Sequence, residues 1–146
     1  MRRAYISAVG MHVPERVVTN EEISRRVETS DEWIQERTGI RERRIVQNGI
    51  GNSDLSAAAI EKCLETTEVE PKDIELIILP TVTPDMMFPS TACIVQNKIG
   101  ATNAWGFDLS GACSGFIYGL ATASQFIETG RYRNAVVVGT DVMSSI

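Results

Sequence analysis

Ala104-Trp105-Gly106-Phe107-Asp108-Leu109-Ser110-Gly111-Ala112-Cys113-Ser114-Gly115-Phe116-Ile117-Tyr118-Gly119-Leu120 changes its periodicity half-way along. Trp105, Phe107 and Leu109 alternate with small or polar residues, the pattern of a short strand. From Phe116 the apolar positions Phe116, Leu120, Ala123 and Ile127 fall three and four apart, the spacing of one helix face. Gly130 stands where a helix C-terminal cap belongs, and Ala135 to Val138 form a short apolar run typical of a buried strand. The unit reads strand, turn, helix, strand, with Cys113 at the turn.

Gly111-Ala112-Cys113-Ser114-Gly115 has the G-x-C-x-G form of a nucleophile elbow. Glycines there permit a tight bend and close backbone approach around an exposed nucleophile. A thiol at a helix start lies beside unpaired N–H donors and the positive end of the helix dipole, surroundings that suit a thiolate. The same donors can bind the oxyanion formed when a thioester carbonyl is attacked. A lone cysteine is otherwise most simply a small buried side chain. The paired glycines and the helix-start position favour the nucleophile, so Cys113 is the candidate catalytic residue.

Asp108 to Phe116, followed by Val136-Val137-Val138-Gly139-Thr140-Asp141-Val142, resembles the active-site region of beta-ketoacyl-acyl carrier protein synthase III, a thiolase-fold condensing enzyme. Three further stretches carry the same resemblance in the family's order: Thr29 to Ile34, Arg37 to Arg43, and Phe88 to Cys93. The resemblance implies an α/β, thiolase-like fold, a mainly parallel sheet flanked by helices. Because family members are about twice as long, residues 1–146 are expected to be the N-terminal half of the duplicated fold, incomplete without the C-terminal half. The implied activity joins a short acyl-CoA starter to malonyl-acyl carrier protein through an acyl-Cys113 intermediate, with decarboxylation, to start fatty acid synthesis. A histidine and an asparagine from the C-terminal half would complete the site, so this portion alone is expected to be inactive. Alternatives are a polyketide-type starter synthase, or a non-catalytic half-protein that pairs with a second chain.

The chain has 146 residues, a formal net charge of -5 and 43% hydrophobic residues, an ordinary composition for one globular domain. The acidic balance argues against general nucleic-acid binding. No apolar run approaches the roughly 20 residues that span a bilayer. Cys63, Cys93 and Cys113 are far apart, and His12 is the only histidine, so no metal site is expected. Acyl-CoA enters as a substrate and no cofactor is implied. An odd cysteine count without a secretory signal points to the cytoplasm.

In chain order, Tyr5 to Val9 alternates weakly and reads as a first strand. Thr19-Asn20-Glu21-Glu22 and Thr29-Ser30-Asp31-Glu32 have the form of capping boxes, opening helices to about Val27 and to Thr38. Trp33 and Arg37, four apart, share a helix face suited to stacking on a base and pairing with phosphate. A half-buried tryptophan beside a paired arginine is the plainer alternative. The family resemblance assigns Thr29, Trp33 and Arg37 to the adenine end of coenzyme A. Arg41, Arg43 and Arg44 form a basic cluster, either a solvated face or a contact for phosphates or an acidic carrier protein.

Ser53 is expected to cap a helix with Leu55, Ala58, Ala59 and Cys63 on its apolar side, and Leu76 to Leu79 reads as a buried strand. The loop Thr81 to Phe88 carries Met86, Met87 and Phe88, either a pocket or interface or a local cover. The resemblance places Phe88 at a homodimer interface, reaching into the partner's acyl pocket. Ser90 to Ile99 reads as a helix with Cys93 packed inside. Strands alternating with helices predict parallel pairing and right-handed crossovers.

Overall fold

A computed structural model of the chain describes residues 2–145. The centre is a parallel sheet of three strands in the order β4-β3-β5, where β3 is Leu76–Pro80, β4 is Trp105–Leu109 and β5 is Ala135–Val137. Leu76 pairs with Trp105 on one side and with Ala135 on the other. All five residues of β3 are buried, as a continuous apolar run with neighbours on both edges requires.

The two faces of β3 serve two cores. Ile77 and Leu79 point to α3 (Asn52–Leu64) and α4 (Thr91–Lys98), where Ala57, Ile60, Ala92 and Val95 close the layer. Leu76 and Ile78 point to α5 (Gly115–Glu128) and meet Ala123, with Phe107, Phe126 and Val137 packed around them. Burying each such side chain stabilises the fold by roughly 1.5–3 kcal/mol. The chain passes from β3 to β4 over one face and returns past β3 to β5 over the other. The C-terminal ends of all three strands therefore open at one rim.

Outside this sheet, β1 (Val17–Thr19) pairs antiparallel with β2 (Glu42–Arg44), enclosing α1 (Asn20–Ser24) and α2 (Asp31–Thr38). This ribbon is the antiparallel part of a mainly parallel architecture. Arg43 supports it by donating to the Val18 carbonyl and to Asn20 Oδ1, and Arg44 donates to the carbonyls of Pro14 and Glu15. Two of the three clustered arginines are thus structural.

Several expectations are corrected. Tyr5 to Val9 is not a strand: it pairs with no other segment among the described residues, and Tyr5, Ile6 and Val9 are 84%, 68% and 78% exposed. Alternation supplies the side-chain pattern of a strand but not the partner its backbone needs. The helix from Asn20 ends at Ser24 rather than near Val27. Ser53 does not cap α3; Gly51 is the cap, and the Asp85 carboxylate accepts from the Ser53 N–H. Cys63 is only half-buried, because the buried stripe of α3 runs through Leu55, Ser56, Ala57 and Ile60. Cys93 is exposed, because Thr91, Ala92 and Val95 take the buried positions of α4.

The packing face of α5 also differs from its apolar periodicity. Gly115, Gly119 and Ala123, each four residues apart, are the buried residues. A Cβ on Gly119 would stand 2.8 Å from Val137 Cγ1 and 3.0 Å from Pro80 Cγ, so only glycine lets this helix lie so close to the sheet. Phe116, Ile117 and Tyr118 remain 45%, 63% and 55% exposed.

Candidate active site

The rim of the sheet holds Cys113. After β4 the chain turns through Ser110 and Gly111 into a single 3-10 turn, Ala112–Ser114, closed by the Ser114 N–H donating to the Gly111 carbonyl at 3.1 Å, and α5 begins at Gly115. Ala112 takes φ 44°, the left-handed region that costs an L-residue roughly 1–2 kcal/mol. The glycines on either side serve close approach: a Cβ on Gly111 would lie 2.8 Å from Gly115 Cα, and one on Gly115 would lie 3.1 Å from Pro80 Cβ. The bend presents Cys113 as an exposed, free thiol.

A cavity of about 240 Å³ opens at this thiol, lined by Pro80, Ala112, Cys113, Phe116, Gly139, Thr140 and Asp141. Each strand end supplies one wall: Pro80 closes β3, the turn follows β4, and Gly139 to Asp141 follow β5. Ligands of open α/β sheets bind at such a crevice, beyond the carboxyl ends of strands whose crossovers take opposite faces. Phe116 packs near Gly139, where an added Cβ would stand 3.1 Å from its ring. His12 does not line the cavity. Pro80, Thr140 and Asp141 were not singled out by sequence; Thr140 and Asp141 lay inside a quoted motif, but nothing in their local spacing marks them as pocket walls.

A second concavity, about 630 Å³, is walled by Ile23, Val27, Glu28, Thr29, Ser30, Trp33 and Ile34. Ser30, not Thr29, caps α2, its hydroxyl accepting from the Trp33 N–H at 3.1 Å. Thr29 is thereby left free of capping duty, and its buried Oγ1 finds no hydrogen-bond partner. Trp33 is 54% exposed, and the Arg37 guanidinium lies over its ring at 5.6 Å. Among the described residues Arg37 makes no ion pair. Asp31, two residues before Trp33, instead accepts from Asn20 and Gln35, and those bonds hold its carboxyl below the usual range. The structure therefore places Thr29 and Trp33 on the wall of one opening, with Arg37 beside it over the Trp33 ring and not itself part of the wall. Phe88 and Met87 stand out from the loop after β3, 88% and 98% exposed.

Comparison with known proteins places this architecture. The family model described as 3-Oxoacyl-[acyl-carrier-protein (ACP)] synthase III matches residues 107–146, which hold the cysteine turn and the wall at Thr140 and Asp141. The beta-ketoacyl-[acyl-carrier-protein] synthase III of Clostridium acetobutylicum is 55% identical over all of this chain, which covers 45% of that protein. Over its whole length the chain is thus similar in sequence to part of a synthase III. The crystal structure of the Aquifex aeolicus synthase III superposes with a TM-score of 0.91 at 42% identity, covering 94% of this chain and 44% of the other. A priming beta-ketosynthase of a polyketide biosynthetic pathway superposes at 0.95 with 36% identity, covering 99% of this chain and 44% of its own. The fold is thus thiolase-like, and the chain spans less than half the length of the synthase III proteins it matches.

Proposed function

We propose that this chain supplies the nucleophile-bearing half of a condensing acyltransferase that starts fatty acid synthesis. The observation that carries the reading is Cys113, exposed at a strained glycine-flanked turn and facing a cavity at the carboxyl rim of the sheet. The Cys113 sulfur attacks the thioester carbonyl of a short acyl-CoA; the coenzyme A thiolate leaves, and the acyl group stays on sulfur. A malonyl thioester on acyl carrier protein then loses carbon dioxide. Its carbanion attacks the acyl-enzyme, forming a 3-oxoacyl carrier protein and freeing Cys113.

Thr29, Trp33 and Arg37 hold the nucleotide end of coenzyme A in this reading. Support comes from the indole and the unpartnered Thr29 hydroxyl on the wall of one opening, and from an arginine over the indole without an ion pair among the described residues. A histidine and an asparagine outside residues 1–146 complete the site, in keeping with relatives more than twice as long. Phe88 belongs to a homodimer contact that reaches the partner's acyl pocket. The enzyme works in the cytoplasm, and its chemistry needs no resident cofactor. The high superposition of the priming polyketide ketosynthase favours, as a second reading, a starter synthase that differs in acyl acceptor rather than in the Cys113 step.

Mass spectrometry of the intact protein after incubation with acetyl-CoA tests the reading. One acetyl group on Cys113, absent from Cys113→Ala, is the expected result. Trp33→Ala should slow that transfer about tenfold, the worth of one stacked base. Absence of any acyl adduct on Cys113 across short acyl-CoAs would refute it.

A further inference from the structure

Behind the cavity wall lies a buried polar chain that helix packing does not explain. Asn52, the first residue of α3, is 2% exposed, and Ser56, one turn on, is 0% exposed. The two N–H groups of Asn52 Nδ2 are shared among three acceptors, Thr81 Oγ1 at 2.9 Å, the Thr83 carbonyl at 3.1 Å and the Thr140 carbonyl at 2.7 Å. The Ser56 hydroxyl lies 3.0 Å from Asn52 Oδ1 and 2.8 Å from Thr140 Oγ1. Asn52 Oδ1 is only an acceptor, so Ser56 gives its single proton there and receives one from Thr140. The proton order is thus fixed: Thr140 to Ser56 to Asn52.

Thr140 is consequently held at every polar group, since its N–H also donates to the Pro80 carbonyl at 3.2 Å. The next residue is held as well: Asp141 Oδ1 accepts from Thr81 Oγ1 at 3.0 Å, the Val82 N–H at 2.8 Å and Thr83 Oγ1 at 3.1 Å. Apolar residues at positions 52 and 56 would leave the Thr140 hydroxyl and carbonyl without these partners. The hydrogen bonds end on the residues that follow β3 and β5, and Thr140 and Asp141 are themselves cavity wall.

We propose that Asn52 and Ser56 are positioning residues: through Thr140 they hold the wall facing Cys113 rigid and so set the size of the acyl group that the thiol accepts. The acyl part of this statement rests on the reading above; the rigidity of the wall does not. Neither residue lines the cavity, so their effect on it passes through the wall they hold.

The test uses the intact protein and two electrophiles, iodoacetamide and the bulkier N-phenylmaleimide, with labelling rates mapped to each cysteine. Exposed Cys93 is the control within the same molecule. Ser56→Ala, and separately the nearly isosteric Thr140→Val, should raise the bulky-to-small rate ratio at Cys113 by about three- to tenfold, the worth of one hydrogen bond. The ratio at Cys93 should stay constant. The double variant should match Ser56→Ala, because the Ser56–Thr140 bond that Thr140→Val removes is already gone in that variant. An unchanged ratio at Cys113 in folded variants, or a rise shared by Cys93 and Cys63, would overturn the proposal. Should Ser56→Ala fail to fold, Thr140→Val decides alone. Failure of the acyl-CoA reading shows itself separately, as a missing acyl adduct with these ratios intact.

Discussion

Ala112 is the residue at which the turn is most costly. Its φ of 44° is the one positive value held by a non-glycine residue among the described residues. Ala112→Gly removes a strain of roughly 1–2 kcal/mol, while glycine's freer unfolded chain takes back about 0.4–1 kcal/mol. The variant should therefore gain between about 0 and 1.6 kcal/mol in urea unfolding, and Cys113 should label more slowly as the turn loosens. A loss of stability would mean that the Ala112 methyl packs better than its backbone suffers. The thiol was legible in sequence because glycines at fixed offsets mark a bend. The strain beside it was not, since no residue type announces a left-handed alanine.

Between α5 and the sheet the decisive side chains are the missing ones. Gly119→Ala adds roughly 1 kcal/mol of helix propensity but places a Cβ 2.8 Å from Val137 Cγ1, and overpacking costs about 1–3 kcal/mol. Net destabilisation of about 1 kcal/mol is expected from the urea midpoint, the reverse of what propensity alone predicts. The join of α3 to α4 depends on pH instead. Asp54 accepts from Lys98 Nζ at 2.5 Å and from the Gly51 N–H at 2.9 Å, with the lysine bond the larger cause of a carboxyl pKa below its ordinary 3.8. A lowered folded pKa contributes stability above 3.8 that is lost as pH falls through the folded value. Asp54→Asn should cost less than about 1 kcal/mol at pH 7, as for exposed pairs, and the gap from wild type should close in acid. The elements with large apolar residues, β3, β4 and β5, were readable in sequence. The contact face of α5 was hidden because periodicity counts side chains, and glycine contributes by having none. The Asn52 chain was hidden for another reason: it joins residues 29 and 88 positions apart.

The large apolar side chains left exposed include Met87 and Phe88 on the loop after β3, and Phe116, Ile117 and Tyr118 on α5. Clustered exposed apolar side chains mark interaction sites. Under the homodimer reading, Met87→Ser with Phe88→Ser should shift the protein toward monomer in sedimentation while its circular dichroism stays unchanged. Continued dimerisation would move the contact elsewhere. The order β4-β3-β5 carries one more consequence, in time rather than in space. The ribosome makes the middle strand first, and its second neighbour begins about 60 residues later. At roughly 5–20 residues per second, Leu76 to Pro80 waits several seconds for its second edge to be covered. Nascent chains arrested before Ala135 should therefore recruit chaperones and yield to protease near β3, and chains released at full length should not.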